Sequence, residues 1–285
     1  MTVAPENEAQ RAFWSEGAGL GFLDEDAALE AMHAPLTEAV LAAAGLAPGH
    51  RVLDLGCGAG ALSRRAARAV GPGGAVWGVD ISRPMLERAE AGGSPEGGAP
   101  IRYVLADAQA GPPPVEGADR LVSRLGAMFF SDPARAFGHL RAAMAPGGTL
   151  TAICWRRGMP DNPFMALPAA VVGRHLGPPE PADPHAPGPM AFADGERAAG
   201  LLAEAGWAGA RAWQVPVTLT PGGDAGAVAA LALRIGPAAR RVREAGLAPD
   251  GRERLRAEIA AALAPYETAG RVRLPTAMTV LTARA

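Results

Sequence analysis

The spacing of apolar residues changes period along this chain, and the changes mark its elements. In the first stretch, 6–46, Leu29, Met32, His33, Leu36 and Val40 share one face at helical spacing. A glycine-rich break at 17–21 divides that stretch, and Pro35 predicts a kink or a restart within its second half. From Arg51 onward, short apolar runs alternate with helix-forming segments. Strands are predicted at 52–55, 75–80 and 101–107, around Ser123, and at 149–155, with helices at 61–70, 84–91 and 133–144. Short crossovers between such elements require a parallel, doubly wound α/β sheet with right-handed connections.

Beyond Trp155 the alternation loosens. A helix is expected at 163–176, followed by a segment, 177–189, whose prolines exclude helix and ladder and leave a loop or lid. Asp194 caps a helix that Gly206 stops. A strand at 211–219 carries Pro216, which suits a sheet edge. Two more helices, 224–245 and 250–264, precede a last strand at 276–283. The organisation expected is a helical segment at 1–48, a ligand-binding core at 49–155, an insertion at 156–190, and a remainder, 191–285, with a helical cap at about 222–270.

The sharpest local signal is Asp54-Leu-Gly56-Cys57-Gly58-Ala-Gly60, between an apolar strand and the helix at 61–70. A tight turn without Cβ atoms, facing a helix N-terminus, favours an anionic or zwitterionic ligand, because N–H groups and the helix dipole converge there. The spacing is one residue tighter than the dinucleotide fingerprint Gly-x-Gly-x-x-Gly. The second and third predicted strands also end in acids, Asp80 and Asp107, so three carboxylates lie along one sheet edge. Asp80 stands where ribose hydroxyls are met in cofactor folds of this kind.

These segments together resemble the class I S-adenosylmethionine-dependent methyltransferases, most closely the ubiquinone/menaquinone-biosynthesis type and its small-molecule relatives. Besides the glycine motif, Asp80 and Asp107-Ala108, the match includes Ser123-Arg-Leu-Gly126 with the residues to Pro133, and Met144-Ala-Pro-Gly-Gly148. The resemblance is close over 49–155 and loose elsewhere. It implies a seven-stranded, mostly parallel Rossmann-like sheet with helical N-terminal and cap insertions. It also implies S-adenosylmethionine as cofactor and S-adenosylhomocysteine as product. Asp54, Gly56, Cys57, Gly58 and Gly60 would surround the methionine portion, its carboxylate near the N–H groups that follow. Asp80 would hold the ribose, Ile81 and Met85 the adenine face, and Asp107 and Ala108 the adenine edge. Arg124 and Leu125 would offer backbone carbonyls to the methionine amine, and Trp14 would close over the cofactor.

Methyl transfer from a sulfonium needs alignment more than acid–base help, so no catalytic triad is required. His33, which interrupts an apolar helical face, is the candidate for orienting or deprotonating the acceptor. Trp155, Phe164 and Met165 are candidates for the acceptor pocket, and His175 and His185 flank the proline-rich segment.

Composition narrows the alternatives. The 27 basic residues are all arginine, since the chain has no lysine. That excludes a pyridoxal-phosphate Schiff base, a P-loop lysine and the Tyr-x-x-x-Lys pair of an NAD(P)-dependent oxidoreductase. A formal charge of −2 gives no reason to expect nucleic acid or an anionic membrane as partner. Five scattered histidines lack metal-ligand spacing, so no metal is expected. The fourth strand lacks the Asn/Asp-Pro-Pro-aromatic segment of DNA amino-methyltransferases. The expectation is a cytoplasmic monomer or homodimer acting on a small organic acceptor, with a cofactor-binding protein lacking turnover as the rival.

Overall fold

A computed structural model describes residues 1–115, 117–181 and 183–285. After a 3₁₀ turn at Pro5–Asn7, the chain forms α1 (Glu8–Glu16), α2 (Gly21–Asp24) and α3 (Asp26–Ala44). Then come β1 (Arg51–Leu55), α4 (Ala61–Val70), β2 (Ala75–Asp80), α5 (Arg83–Ala91), β3 (Ile101–Leu105), β4 (Ala118–Arg124), α6 (Pro133–Ala142) and β5 (Met144–Trp155). The second half adds α7 (Pro163–Leu176), α8 (Gly195–Glu204), β6 (Ala208–Leu219), α9 (Ala225–Ala232), α10 (Gly236–Glu244) and α11 (Pro249–Leu263). A two-residue ladder, β7 (Glu267–Thr268) with β8 (Arg271–Val272), precedes β9 (Leu274–Arg284).

The main sheet has seven strands in the order β3-β2-β1-β4-β5-β9-β6. Its first five strands are parallel to one another, and β9 lies antiparallel between β5 and β6. Strand order reverses beside β1, between β2 and β4, which opens a crevice at the strands' carboxyl ends. Strands β1 and β4 are covered on both faces, so Val52, Leu53, Leu121 and Val122 are buried, as their near-continuous apolar character requires. Pro216 does lie on the edge strand β6.

Several boundaries differ from the sequence expectation. Pro35 does not restart the first helix: α3 runs through it unbroken to Gly45, whose positive φ ends it. The segment 144–148, expected ahead of the fifth strand, is part of β5, where Met144 pairs with Ala118 across an irregular register. The helix expected at 224–245 is two helices, because Gly236 (φ 84°) and Pro237 break it. Asp194 caps α8 as expected, accepting from the Arg197 N–H at 3.1 Å. Among the described residues no helix is long and apolar enough to cross a membrane.

One buried polar contact ties the two halves of the sheet's helical cover. The Trp207 indole N–H donates to the Phe137 carbonyl at 2.9 Å, and both side chains are buried. Trp207→Phe keeps most of the apolar surface but leaves that carbonyl without its indole donor. It should destabilise the fold by about 1–3 kcal/mol in urea unfolding; no change in midpoint would mean water replaces the bond freely.

Candidate functional site

The crevice beside β1 holds a cavity of about 270 Å³. Its floor is the turn after β1, its sides come from the ends of β2, β4 and β5, and α1–α3 form its roof. The turn depends on two glycines from different loops. Gly56 has φ 66°, and a Cβ there would stand 2.8 Å from the Gly126 Cα; a Cβ on Gly126 would be 2.6 Å from the Leu55 carbonyl. The Ser123 hydroxyl donates to that same carbonyl at 2.9 Å, clamping the β4 end onto the β1 end. Leu125, with φ 64°, turns the β4 loop away.

The structure brings fifteen of the seventeen expected site residues to the cavity wall: Trp14, His33, Gly56, Cys57, Gly58, Asp80, Ile81, Met85, Asp107, Ala108, Arg124, Leu125, Trp155, Phe164 and Met165. Asp54 and Gly60 are not among the wall residues. Asp54 is buried behind the turn, where its carboxylate accepts from the Ser63 hydroxyl at 2.6 Å. Gly60 is needed for packing: a Cβ there would be 2.4 Å from the Tyr103 hydroxyl. Both therefore brace the turn, and the second Asp54 oxygen is buried without a hydrogen-bond partner among the described residues.

The turn's first donors are used within the sheet. Gly56 and Cys57 N–H groups donate to the Val79 carbonyl at 2.8 and 3.1 Å, and the Gly58 N–H donates to Asp80 at 2.8 Å. These three groups fasten β1 to β2, and the N–H groups that follow them at the α4 N-terminus stay the expected partners of a ligand carboxylate. Asp80 also accepts from the Ser82 N–H at 2.9 Å, while burial pushes its carboxyl upward against those hydrogen bonds. Two N–H donors fix its orientation and leave further lone pairs for hydroxyls.

Asp107 is engaged by the roof. One oxygen accepts from the Asn7 amide and the Gln109 N–H, and the other from the Ala4 N–H, each at 2.9 Å. One lone pair of the second oxygen remains. Ser82 further donates to the Trp14 carbonyl at 2.9 Å, so the N-terminal segment is laced to the sheet edge. Trp14 packs edge-on against Phe22 and Phe129, each at 5.2 Å, which makes an aromatic lintel over the cavity.

On the far side His33 meets Trp155 edge-on at 6.0 Å. Its imidazole is driven down to about 3, by desolvation first and the Arg124 charge second, so it is neutral at physiological pH. A neutral ring of that basicity can orient a partner but is a weak base. His175 instead pairs with Glu258, remote from the wall. Of the described residues of the proline-rich segment 177–189, Pro189 lines the cavity; residue 182 lies outside the described residues. The break between α9 and α10 contributes Ile235 and Gly236 as well.

Asp26 and Glu30 were missed, yet both line the cavity from α3. Their spacing to His33, at i, i+4 and i+7, puts all three on one helical face, and that periodicity was the available signal. Arg124 explains Glu30: its guanidinium donates to both Glu30 oxygens and, at 2.8 Å, to the Thr37 hydroxyl, whereas Asp26 pairs with Arg88 at 3.1 Å.

Residues 52–148 match a family model described as a methyltransferase domain. An uncharacterised protein of Mycobacterium tuberculosis is 35% identical over 145 residues, 51% of this chain and 49% of that protein. A ubiquinone/menaquinone biosynthesis C-methyltransferase of Bordetella avium is 33% identical over 40% of this chain and 44% of its own length. The chain thus spans about half the length of the curated relatives it matches. A solved structure from Bacillus halodurans, described as a candidate methyltransferase, aligns with a TM-score of 0.50. It is 17% identical over 87% of this chain and 97% of that one, a likeness of fold.

Asp54 supplies a pH test of the turn. Desolvation raises its carboxyl from 3.8 to about 7, despite the Ser63 hydrogen bond and Arg124. The folded state thus holds this proton more tightly than the unfolded chain. Its contribution to stability is complete below about pH 4 and is lost as pH climbs to about 7. Asp54→Asn should flatten that decline, worth on the order of 2–4 kcal/mol, between about pH 4 and 7 in urea melts. An unchanged slope in the variant would show that Asp54 titrates normally.

Proposed function

We propose that this protein, whose residues 52–148 match a family model described as a methyltransferase domain, binds S-adenosylmethionine and transfers its methyl group to a small organic acceptor, such as a phenol, a quinone or a related metabolite. One observation carries the reading. A single cavity joins the Gly56–Gly58 turn and Asp80 to an apolar wall of Trp155, Phe164, Met165 and Ile235.

The cavity fits the cofactor on its own terms. At Gly58 a Cβ would meet nothing within 4 Å, so the turn offers open space where a ligand would pass close to backbone. Asp80 offers an oriented carboxylate to a ribose diol, with Ile81 and Met85 as the apolar surface beside it. Asp107 keeps one lone pair for a purine amine while it ties down the N-terminal segment.

Bound S-adenosylmethionine supplies a methyl group already activated on a sulfonium. The chain's task is then to hold an acceptor in line and exclude water, which alone is worth up to ~7–11 kcal/mol of barrier. Trp155, Phe164 and Met165 confine a planar apolar molecule. His33, neutral and edge-on to Trp155, orients the acceptor by a hydrogen bond. Roofed by α1–α3, the site suits a small molecule better than a duplex nucleic acid. The C-methylating relative concerned with quinones supports that acceptor class.

S-adenosylhomocysteine at 100 times its Kd should add ~2.7 kcal/mol of stability and raise the Tm by several degrees, whereas NADH should not. A shift with NADH alone would overturn the assignment. Asp80→Ala should weaken S-adenosylhomocysteine binding roughly tenfold or more in calorimetry while the fold survives. An unaltered Kd would reduce Asp80 to a bracket between β1 and β2. Release of S-adenosylhomocysteine across a metabolite panel separates an enzyme from a binding protein that lacks turnover.

A further inference from the structure

The Gly56, Cys57 and Gly58 N–H groups are bonded to Val79 and Asp80, so these three donors of the turn are used within the fold. A zwitterionic amino-acid end at this turn would gain from a charged side chain of each sign beside it. Among the residues lining the cavity, Arg124 is the one basic side chain besides the neutral His33.

Its hydrogen bonds show how much of it is free. A guanidinium has five N–H groups in a fixed plane. Nη1 uses both of its own, on Glu30 and Thr37, and Nη2 uses one, on Glu30. The Nε–H and the second Nη2–H have no hydrogen-bond partner among the described residues. These two lie side by side on one edge of the plane, the geometry that receives a carboxylate in bidentate fashion. Glu30, held by the other edge, keeps a lone pair on each oxygen. The pair is mostly withdrawn from solvent, with side-chain exposures of 13% for Arg124 and 33% for Glu30. Arg124 is also next to Leu125 and Gly126, whose backbone meets the Gly56 turn.

We propose that Arg124 and Glu30 together recognise the zwitterionic end of the cofactor, the carboxylate on the free Nε/Nη2 edge and the α-ammonium on Glu30. The proposal rests on the cofactor reading above and extends it. The core strand β4 and the roof helix α3 each supply one half of the clasp. Ligands that share the adenosine and thioether but lack the amino acid lose both contacts.

The test compares S-adenosylhomocysteine with 5′-methylthioadenosine by calorimetry on the full chain. The wild type should bind the former at least tenfold more tightly, as charged hydrogen bonds of this kind allow. Arg124→Gln and Glu30→Gln should each weaken S-adenosylhomocysteine tenfold or more and leave the 5′-methylthioadenosine Kd within about threefold. Arg124→Lys, which keeps the charge and loses the fork, should fall between. Retained 5′-methylthioadenosine binding also certifies that the variants are folded. Equal losses for both ligands would mean a structural pair and overturn the proposal, as would no loss for either. A wild type that binds both ligands equally defeats the clasp alone, whereas one that binds neither defeats the cofactor reading beneath it.

Discussion

Two backbones touch where β1 and β4 end, and the site is built around that contact. A side chain at either Gly56 or Gly126 would drive a Cβ to within 3 Å of the opposing main chain. The contact lies where strand order reverses, so it sets the width of the crevice that α/β sheets use for ligands. Ser123 and Leu125 lock it from the β4 side, and Asp80 locks it from the β2 side by accepting from Gly58. Three of the turn's N–H groups are consumed in this bracing. The cavity's charged side chains come from other elements, among them Arg124 of β4 and Glu30 of α3.

Helix α3 supplies that chemistry. It presents Asp26, Glu30 and His33 to the cavity from one face while Leu36 and Val40, further along, are buried in the core. Arg124 reaches from β4 to meet it, which couples the helix to the strand by charge as well as packing. In a mostly apolar enclosure these few charges interact strongly because little water screens them. The same cation adds to the desolvation that lowers His33 and counteracts part of the burial cost of Asp54. One arginine thus bears on both groups while it pairs with Glu30.

Local pattern carried most of the first half of the fold. The helix at Ala61–Val70 and the strand at Ala75–Asp80 fall where periodicity, glycine and capping signals put them, because each is dictated by its own residues. The Asp80 position was legible for the same reason. What sequence pattern could not reveal was where hydrogen bonds go. Asp54 and Gly60 look like ligand contacts in one dimension, yet Ser63 and Tyr103 claim them in three. Glu30 and Asp26 look like ordinary solvated helix positions until the fold brings Arg124 beside the first and Arg88 beside the second. How far the proline-rich segment reaches the cavity was not legible, because irregularity shows only that a stretch is not helix or ladder. The break at Gly236, which does reach the cavity, was hidden inside an otherwise helical run.

The most direct test of the account is a crystal structure of the complex with S-adenosylhomocysteine. The account predicts the ribose hydroxyls on Asp80, the homocysteine portion over Gly56–Gly58 with its carboxylate on Arg124, and the sulfur facing His33 and Trp155. A ligand seated outside this crevice, or one whose amino-acid end points away from β4 with Asp80 untouched, would contradict it.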